Sequence, residues 1–518
     1  MENLNFYNYN LESYIKDIEN KGLKETWNNI CKYVLESNDI SGFLNIDNFG
    51  ELYEIGLAIE DKILKKKSGQ YYTPDDVANV MANWLLECDE KIVCDVACGT
   101  GKLILTYLKL IGYKKARELI SSGYLYLYDF DETALMICKT VITILYGKDI
   151  SSNIHDIVGD FLDKNIALPD NCKVISNPPY ARIESNNENW ELTNNVINTK
   201  EYYSAFMEKI FKQSSSTVII TPFSFISGNK FYSLRKSMCD LGYGFVVAFD
   251  NVPGNIFCGR KHGIFNTNTA NSVRAAITVF HKNEEKHGYQ ISSLIRFKNE
   301  ERDDLLVGDV LKNNLSNTLQ LIDENNKTFK KVSKSLSSVY TNWTNKSNYI
   351  LKDFISKTKT DYFLDIPNTC RYYTTASSKK LKRTGSISLY IKDKEYYDFI
   401  YCLINSSFAY WWWRIYDGGI TYPISLLTSM PIPVNLLTID DKKFFNDIKT
   451  EMVSKENEYI VTKMNAGDAQ ENIKFPEEYR NKINERILKI LDVNLNSSIF
   501  DEVHSNTYFK NKNKNLVS

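Results

Sequence analysis

Two kinds of hydrophobic spacing divide the chain. Apolar residues recur at three- and four-residue intervals through 11–67 and again through 440–500, which predicts helices there. Short runs rich in β-branched and aromatic residues lie between them, at 91–97, 124–130, 172–179, 216–223, 244–250 and 275–282. Helical stretches separate several of these runs, and strands that alternate with helices form parallel sheets. The pattern therefore predicts an α/β, doubly wound, mostly parallel sheet covered by helices.

The same pattern predicts four parts. Beyond about residue 285 it loosens into polar segments, rich in Asn and Lys, with isolated aromatic clusters. We expect an N-terminal helical segment, an α/β domain, an α+β domain and a C-terminal helical extension with a disordered tail, at 1–66, 67–285, 286–440 and 441–518.

Composition narrows the class of protein. The 518 residues carry a formal net charge of −1, so any nucleic-acid binding must depend on local basic patches. The ten cysteines form no CxxC pair and the five histidines are dispersed, so we expect neither a disulfide framework nor a metal site. No run of about 18 apolar residues suggests a membrane span. A soluble, cytoplasmic bacterial protein without membrane contact is expected.

A glycine-containing loop joins the first predicted strand to a helix. Asp95 ends the strand, and Gly99 and Gly101 follow, where the backbone can approach a ligand closely. The loop is neither GxGxxG nor a P-loop, since Leu103 follows Lys102, so a pyrophosphate cradle is disfavoured. An acid at this place suits an amine-bearing ligand, although a plain tight turn would have the same spacing.

Two further acids follow later strands. Asp129, beside Phe130, stands where an acid binds ribose hydroxyls in such sheets, and Asp160 is followed by Phe161. A helix cap or a solvated charge explains any one of these acids easily and explains the whole row poorly.

The fourth strand runs into Asn177-Pro178-Pro179-Tyr180. Proline fixes φ, lacks an amide donor and holds the preceding residue extended. Asn177 is therefore predicted on a rigid turn at the end of a strand. A plain strand-ending turn is the alternative.

Together these motifs resemble the S-adenosylmethionine-dependent DNA methyltransferases that act on the adenine amino group, in the gamma arrangement. The resemblance covers roughly 67–282 and implies a Rossmann-like class I methyltransferase core with a seven-stranded sheet. It also implies a target-recognition domain over 286–440. Two departures are present: Val96 replaces the usual proline, and the long stretch from Asp95 to Asp129 implies an insertion before the second strand.

The resemblance implies S-adenosyl-L-methionine as cofactor. Its binding residues would be Tyr72, Thr73, Asp95, Ala97, Gly99, Gly101, Asp129, Phe130, Asp160 and Phe161. By this similarity Thr73 and Asp95 lie near the methionine moiety. Asp129 would bind the ribose, the two phenylalanines would flank the adenine, and Asp160 would accept from its amino group.

The catalytic residues implied are Asn177, Pro178, Pro179 and Tyr180. The Asn177 oxygen and the Pro178 carbonyl can accept both hydrogens of an adenine amino group, which frees the nitrogen lone pair for attack. The base must leave the duplex, and Tyr180 offers it a stacking face. Phe257 loosely matches an aromatic residue that holds the extruded base, and Arg182 would face the phosphate of the same nucleotide.

Residues 370–385 interleave aromatic and basic side chains, which suits DNA contact but equally suits a solvated face. The candidates are Lys379, Lys380, Lys382 and Arg383. Trp411, Trp412 and Trp413 are interpreted as part of a packed helix.

Several alternatives stay open. Cytosine C5 chemistry is excluded because no proline precedes a cysteine, and cytosine N4 enzymes usually carry Ser in place of Asn177. Methyltransferases of protein glutamine or ribosomal-RNA guanine share NPPY but lack the GQYYTP segment. A Type I-like subunit that needs a separate specificity subunit, or a non-enzymatic DNA-binding subunit, is also compatible. We find no PD…(D/E)xK nuclease signature, so a monomer that modifies double-stranded DNA, alone or beside a separate restriction endonuclease, is expected.

Overall fold

The computed structural model describes residues 73–185, 187–190, 193–258, 273–465 and 467–509. The predicted N-terminal helical segment and Tyr72 lie outside the described residues. The chain forms two compact units. The first holds the described residues up to Ile291 with Phe297–Asn313 and Thr318–Thr328, and the second holds Ser292–Arg296, Asn314–Asn317 and the described residues from Phe329 onward.

A single eight-stranded sheet organises the first unit, in the order β3-β2-β1-β4-β5-β7-β6-β8. The strands are β1 (Ile92–Val96), β2 (Leu125–Asp129), β3 (His155–Val158), β4 (Cys172–Ser176), β5 (Ser216–Pro222), β6 (Gly242–Phe249), β7 (Ala275–Lys282) and β8 (Gly288–Ile291). Strands β1 to β5 are mutually parallel, and β7 is antiparallel to both β5 and β6. The predicted Rossmann-like, mostly parallel sheet is confirmed.

The expected number of seven strands is wrong by one, because β8 adds to the edge of the sheet beside β6. The strand has only four residues and contains Gly288 and Gln290, so it has no apolar run that a sequence pattern could reveal. On its outer side, the backbone N–H and C=O of Tyr289 both pair with Gln320.

Helices follow most strands of this unit. They are α1 (Asp75–Leu86), α2 (Lys102–Ile111), α3 (Tyr113–Ser121), α4 (Glu132–Tyr146), α5 (Asn194–Thr199), α6 (Tyr202–Gln213), α7 (Tyr232–Leu241), α8 (Arg302–Leu305) and α9 (Gly308–Lys312). Helix α1 begins after Pro74 with two acids in its first turn, as a helix dipole favours. Two helices, α2 and α3, fill the stretch between β1 and β2, so the insertion predicted there is confirmed.

Helices dominate the second unit. They are α10 (Ser337–Lys346), α11 (Lys394–Ile404), α12 (Ser407–Tyr416), α13 (Ile424–Thr428), α14 (Ile439–Ser454), α15 (Glu477–Ile490) and α16 (Asp501–His504). Three two-stranded sheets accompany them, pairing β9 (Tyr349–Ile350) with β12 (Pro431–Ile432), β10 (Phe363–Pro367) with β11 (Ser386–Tyr390), and β13 (Ile460–Asn465) with β14 (Asp468–Ile473). None of the helices in the described ranges is long and apolar enough to cross a membrane.

The core of the second unit is strongly aromatic. Trp411, Trp412 and Trp413 on α12 are all buried, and Trp343 of α10 stacks on Trp411 with ring centroids 6.0 Å apart. The indole nitrogens of Trp412 and Trp413 donate to backbone carbonyls at 3.0 and 2.9 Å, which satisfies their polar atoms inside the core. The prediction that these tryptophans form a packed helix is confirmed.

Candidate active site at the carboxyl edge of the sheet

Strand register brings the predicted site residues to one edge of the sheet. Strand β1 lies between β2 and β4, and Val96 is level with Tyr128 on one side and Ser176 on the other. The residues that follow these positions in the chain, including Asp129 and Asn177, therefore leave the sheet side by side. The Ser176 hydroxyl also donates to the Val96 carbonyl at 2.7 Å, which ties the two strand ends together.

Asp95 is completely buried at the end of β1. Its Oδ2 accepts a hydrogen bond from the backbone N–H of Ile104 in α2 at 3.1 Å, whereas no described residue donates one to Oδ1. Burial raises the pKa of this carboxyl well above its ordinary value. An unsatisfied buried acceptor is costly, and a donor supplied by a ligand would remove that cost.

The loop after β1 adopts left-handed backbone at Ala97 (φ +59°), Gly99 (φ +53°) and Gly101 (φ +92°). The two glycines differ in their surroundings. A Cβ added at Gly99 would meet no described atom within 4 Å, whereas one at Gly101 would lie 2.4 Å from Cys138 Sγ. Gly99 therefore leaves room beside the loop, and Gly101 is needed so that α2 can pack closely.

Asp129 holds this loop in place. Its Oδ2 accepts the Gly99 N–H at 2.6 Å, and its Oδ1 accepts the Asp131 N–H at 2.8 Å. Burial raises the pKa of Asp129, while these backbone donors oppose the rise. The neighbouring Phe130 side chain is 77% exposed, an unusual state for a large apolar ring. Asp129 and Phe130 thus stand together where sequence reasoning expected them.

Asp160 has a partner that sequence reasoning missed. The indole N–H of Trp190 donates to its Oδ2 at 2.8 Å, and the Leu162 N–H donates to its Oδ1 at 3.0 Å. Trp190 comes from the segment after the NPPY turn, and a lone tryptophan in a polar stretch carries no signal of this role.

The Phe161 side chain, predicted to flank an adenine, lies in the core of the first unit. The ring is 3% exposed and packs against Tyr128 and Phe206, with centroids 5.7 and 5.3 Å away. The Lys209 ammonium lies 4.8 Å from the ring centroid and donates to the Phe161 carbonyl at 2.6 Å. Phe161 is buried because neighbouring aromatic residues close around it, whereas Phe130 is largely exposed among the described residues.

The NPPY turn carries the densest polar contacts of the site. Asn177 Nδ2 donates to the Thr73 hydroxyl at 2.8 Å, and the Tyr180 hydroxyl donates to Asn177 Oδ1 at 2.7 Å. The Tyr180 hydroxyl also lies 3.1 Å from the Ile220 carbonyl at the end of β5. The asparagine is thus held on both sides of its amide group, between α1 and the turn itself. Pro178 is buried and Pro179 partly buried within this turn.

Aromatic rings surround Tyr180. Its centroid lies 5.8 Å from that of Phe257 and 6.4 Å from that of Tyr203, both in edge-to-face geometry. The loosely aligned Phe257 is therefore placed beside Tyr180. Its turn is fixed by buried Arg302, which donates to the carbonyls of Asn255 and Ile256 at 2.9 and 2.6 Å.

Arg302 also pairs with Asp76 in the first turn of α1. Helix α1 and the turn of Phe257 are thus held by one guanidinium, which the sequence did not single out.

The candidate DNA-contacting residues fall into two groups. Arg383 and Lys380 both pair with the completely buried Asp365, at 2.6 and 2.9 Å, and Lys379 bonds to Asn457. The Arg383 side chain is only 4% exposed, and its pair with Asp365 gives it a role in packing; its contact with DNA stays a prediction. Lys382 and Arg182 are both exposed. The backbone N–H of Lys382 donates to the Glu471 side chain, and Arg182 forms an isolated antiparallel β-bridge with Glu201.

Comparison with known proteins identifies the family. The sequence profile described as N-6 DNA Methylase matches residues 44–380, which is more than half of the chain. The chain belongs to the N-6 DNA methylase family. The predicted family is thereby confirmed, and the sheet order described above is the Rossmann-like fold expected for it.

Two curated proteins are similar to part of this chain. The Type I restriction enzyme MpnII methylase subunit of Mycoplasma pneumoniae is 24% identical over 268 residues, which are 47% of this chain and 45% of the relative. The Type II methyltransferase M.PstI of Providencia stuartii is 30% identical over 199 residues, 35% of this chain and 38% of the relative. This chain therefore matches less than half of the length of either relative.

One solved structure aligns with most of the chain. It is a nuclease-deletion mutant of the Type ISP restriction-modification enzyme LlaGI in complex with a DNA substrate mimic, with 12% identity and a TM-score of 0.46. The alignment covers 86% of this chain and 61% of that chain.

Proposed function

We propose that this chain transfers a methyl group from S-adenosyl-L-methionine to N6 of an adenine that has been flipped out of double-stranded DNA. The observation that carries the proposal is the Asn177 amide, held at 2.8 Å by Thr73 and at 2.7 Å by Tyr180 on a double-proline turn. Membership of the N-6 DNA methylase family supports the same reaction.

The residues beside this turn fit the cofactor. No described residue satisfies Oδ1 of buried Asp95, which suits an amino group, and the space beside Gly99 admits a ligand close to the backbone. Asp129 suits ribose hydroxyls, and exposed Phe130 offers a ring face to an adenine. When bound, S-adenosyl-L-methionine supplies an electrophilic methyl group.

The chain's own residues then activate the nucleophile. The adenine amino nitrogen is a poor nucleophile because its lone pair is delocalised into the ring. Asn177 Oδ1 and the Pro178 carbonyl each accept a hydrogen bond from this amino group, which draws the nitrogen towards tetrahedral geometry. Rigid acceptors aimed at the position where charge develops are the usual means of such catalysis. Tyr180 packs on the face of the flipped base.

The Tyr180 hydroxyl has two acceptors close by, Asn177 Oδ1 at 2.7 Å and the Ile220 carbonyl at 3.1 Å. Its single hydrogen can turn to Ile220 when the substrate amino group arrives at Asn177. The exchange leaves no buried donor unpaired, so the cost of substrate entry stays small.

The segments outside the core extend the proposal. We assign residues 286–440 to target recognition, which makes the enzyme self-contained, and place it as a monomer in the bacterial cytoplasm beside a separate restriction endonuclease. A Type I-like subunit that requires a specificity subunit is the second candidate, and the similarity to the MpnII methylase subunit favours it.

Tritiated S-adenosyl-L-methionine and unmethylated AT-rich genomic DNA test the proposal, with nucleoside analysis of the product. Wild type should form N6-methyladenine. Asn177→Ala should lose at least about 100-fold in rate, the loss typical of removing one oriented catalytic group. Asn83→Ala on the exposed face of α1 is the matched control and should keep full activity.

Cofactor affinity, measured by calorimetry, separates the outcomes. If wild type binds the cofactor and labels no DNA, the self-contained reading is wrong, and addition of a specificity subunit should restore transfer. Label on protein or RNA instead of DNA would overturn the proposal.

A further inference from the structure

We propose that Thr73 is a positioning residue that sets the orientation of the catalytic Asn177 amide. The inference rests on the proposed function and assigns Thr73 a task other than cofactor binding. Thr73 is buried, and its hydroxyl oxygen accepts the hydrogen bond from Asn177 Nδ2 at 2.8 Å.

The position of Thr73 in the chain makes it rigid. Pro74 follows it directly and has extended backbone, and α1 begins at Asp75 with seven buried residues among its twelve. The residue before a proline is confined to extended conformations. Thr73 is therefore a fixed point, 104 residues away from Asn177 in sequence, against which the amide can be held.

Orientation matters because the two ends of an asparagine amide have opposite hydrogen-bonding character. The oxygen accepts two hydrogen bonds, and the nitrogen only donates. Thr73 holds the nitrogen, so the oxygen lies on the side of Tyr180. An amide nitrogen turned towards the substrate would meet the hydrogens of the adenine amino group with its own hydrogens, and activation would fail.

The side-chain torsion of asparagine does not fix this orientation by itself. The last torsion of Asn is broad and nearly two-fold, so an amide without partners turns freely. The contact from Tyr180 alone is also insufficient, since its hydroxyl has a second acceptor in Ile220. The hydrogen bond that the Thr73 hydroxyl accepts from Asn177 Nδ2 is a contact on the nitrogen side that a substrate does not need to displace.

The test uses two substitutions at one position. Thr73→Val keeps the shape of the side chain and removes the oxygen, whereas Thr73→Ser keeps the oxygen. We expect Thr73→Val to lower the single-turnover rate of methyl transfer to unmethylated genomic DNA about tenfold at saturating cofactor, as the loss of one hydrogen bond implies. Its dissociation constant for S-adenosyl-L-methionine, from calorimetry, should stay within about twofold of wild type. Thr73→Ser should recover most of the rate.

The opposite pattern overturns the inference. If Thr73 serves the cofactor, Thr73→Val weakens cofactor binding and the rate at saturating cofactor stays at the wild-type value.

A second readout does not depend on activity. In protein labelled with ¹⁵N-asparagine, the side-chain amide signals of Asn177 are those that disappear in Asn177→Ala. We expect these signals to shift and their hydrogens to exchange faster in Thr73→Val, and to stay close to wild type in Thr73→Ser. Unchanged signals in Thr73→Val would sink the proposal. This measurement decides the role of Thr73 even where wild type transfers no methyl group, an outcome that would refute the proposed function instead.

Discussion

The Trp190 indole N–H donates to Oδ2 of Asp160 at 2.8 Å, across 30 residues of sequence. Trp190 is buried and packs edge-to-face on Tyr202 with ring centroids 5.7 Å apart. The carboxylate predicted to bind the cofactor adenine is therefore oriented by a residue of the segment that follows the NPPY turn.

Replacing Trp190 by Phe tests this contact. The phenyl ring keeps most of the packing on Tyr202 and loses the donor to Asp160. We expect affinity for S-adenosyl-L-methionine to fall about 10- to 100-fold, the equivalent of one hydrogen bond to a charged group. Calorimetric titration gives the affinity, and thermal unfolding shows whether the variant keeps the stability of wild type. Unchanged affinity would mean that Asp160 orients itself without help.

Replacing Asp95 by Asn should stabilise the protein by an amount that depends on pH. Burial raises its folded-state pKa above the ordinary value, so the folded state holds a proton that the unfolded state has released. Through the window between those two pKa values, the free energy of unfolding of wild type falls as pH rises. Asp95→Asn has no such group. Its advantage over wild type should therefore grow by up to about 1.4 kcal/mol per pH unit in that window.

Chemical denaturation at a series of pH values measures the difference. Asp129 is also buried with a raised pKa and is present in both proteins, and its charge adds to the raised pKa of Asp95, so part of the difference measures the interaction between the two carboxyls. The same variant should bind the cofactor more weakly, since one of the two carboxyl oxygens is replaced by an amide nitrogen that cannot accept a hydrogen bond. A stability difference that is independent of pH would contradict the buried state of Asp95.

Gly99 and Gly101 should respond differently to alanine. Both have positive φ, which costs an alanine roughly 1–2 kcal/mol. At Gly101 the new Cβ would also lie 2.4 Å from Cys138 Sγ, so roughly 1–3 kcal/mol of overpacking is added. Gly101→Ala should lower the free energy of unfolding by the larger amount, and Cys138→Ala in the same chain should restore part of it.

Gly99→Ala should fold with the smaller loss and bind S-adenosyl-L-methionine about tenfold more weakly, because the methyl group enters the space beside the loop. Equal stability loss in both variants would show that conformational strain, and not contact with Cys138, limits Gly101.

Substitutions of Arg383 and Lys382 distinguish a role in packing from a role in DNA contact. Arg383→Met removes one of the two cations that pair with the buried Asp365, and we expect a loss of about 3 kcal/mol in the free energy of unfolding. Lys382→Ala, at an exposed position, should leave stability unchanged. If the segment contacts DNA, this variant should also reduce the dependence of DNA affinity on salt by about one unit of slope. Denaturant titration and DNA binding at several salt concentrations measure the two effects. An Arg383→Met protein as stable as wild type would contradict the packing role and favour the predicted contact of Arg383 with DNA.

Sequence patterns predicted the parts of the fold whose signals are local. The alternation of apolar runs and helices and the aromatic helix around Trp412 both depend on residues close together in the chain. Strand β8 was not predicted, because its pairing with β6 depends on backbone contacts that leave no pattern in a four-residue stretch containing Gly288.

The site divides in the same way. The glycine loop, Asp129 and the NPPY turn were found because each is a short motif at a strand end. The partners that hold these groups were missed because their contacts span distant parts of the chain: Thr73 to Asn177, Trp190 to Asp160, and Arg302 to the turn of Phe257. Whether a ring or a cation stays accessible depends on such neighbours, which is why the burial of Phe161 and of the Arg383 side chain could not be predicted from the sequence.

The pairing of Tyr289 with Gln320 has a consequence for self-association. Both outward-facing backbone groups of Tyr289 are occupied, so the β8 edge offers no template there for strand addition. Growth of the sheet through another chain is then directed to the opposite edge, at β3. That edge is four residues long and carries Asp156, which pairs with Lys139. Short charged edges resist aggregation. Addition of a further strand is therefore opposed at the β8 edge by the segment around Gln320, and at the β3 edge by charge.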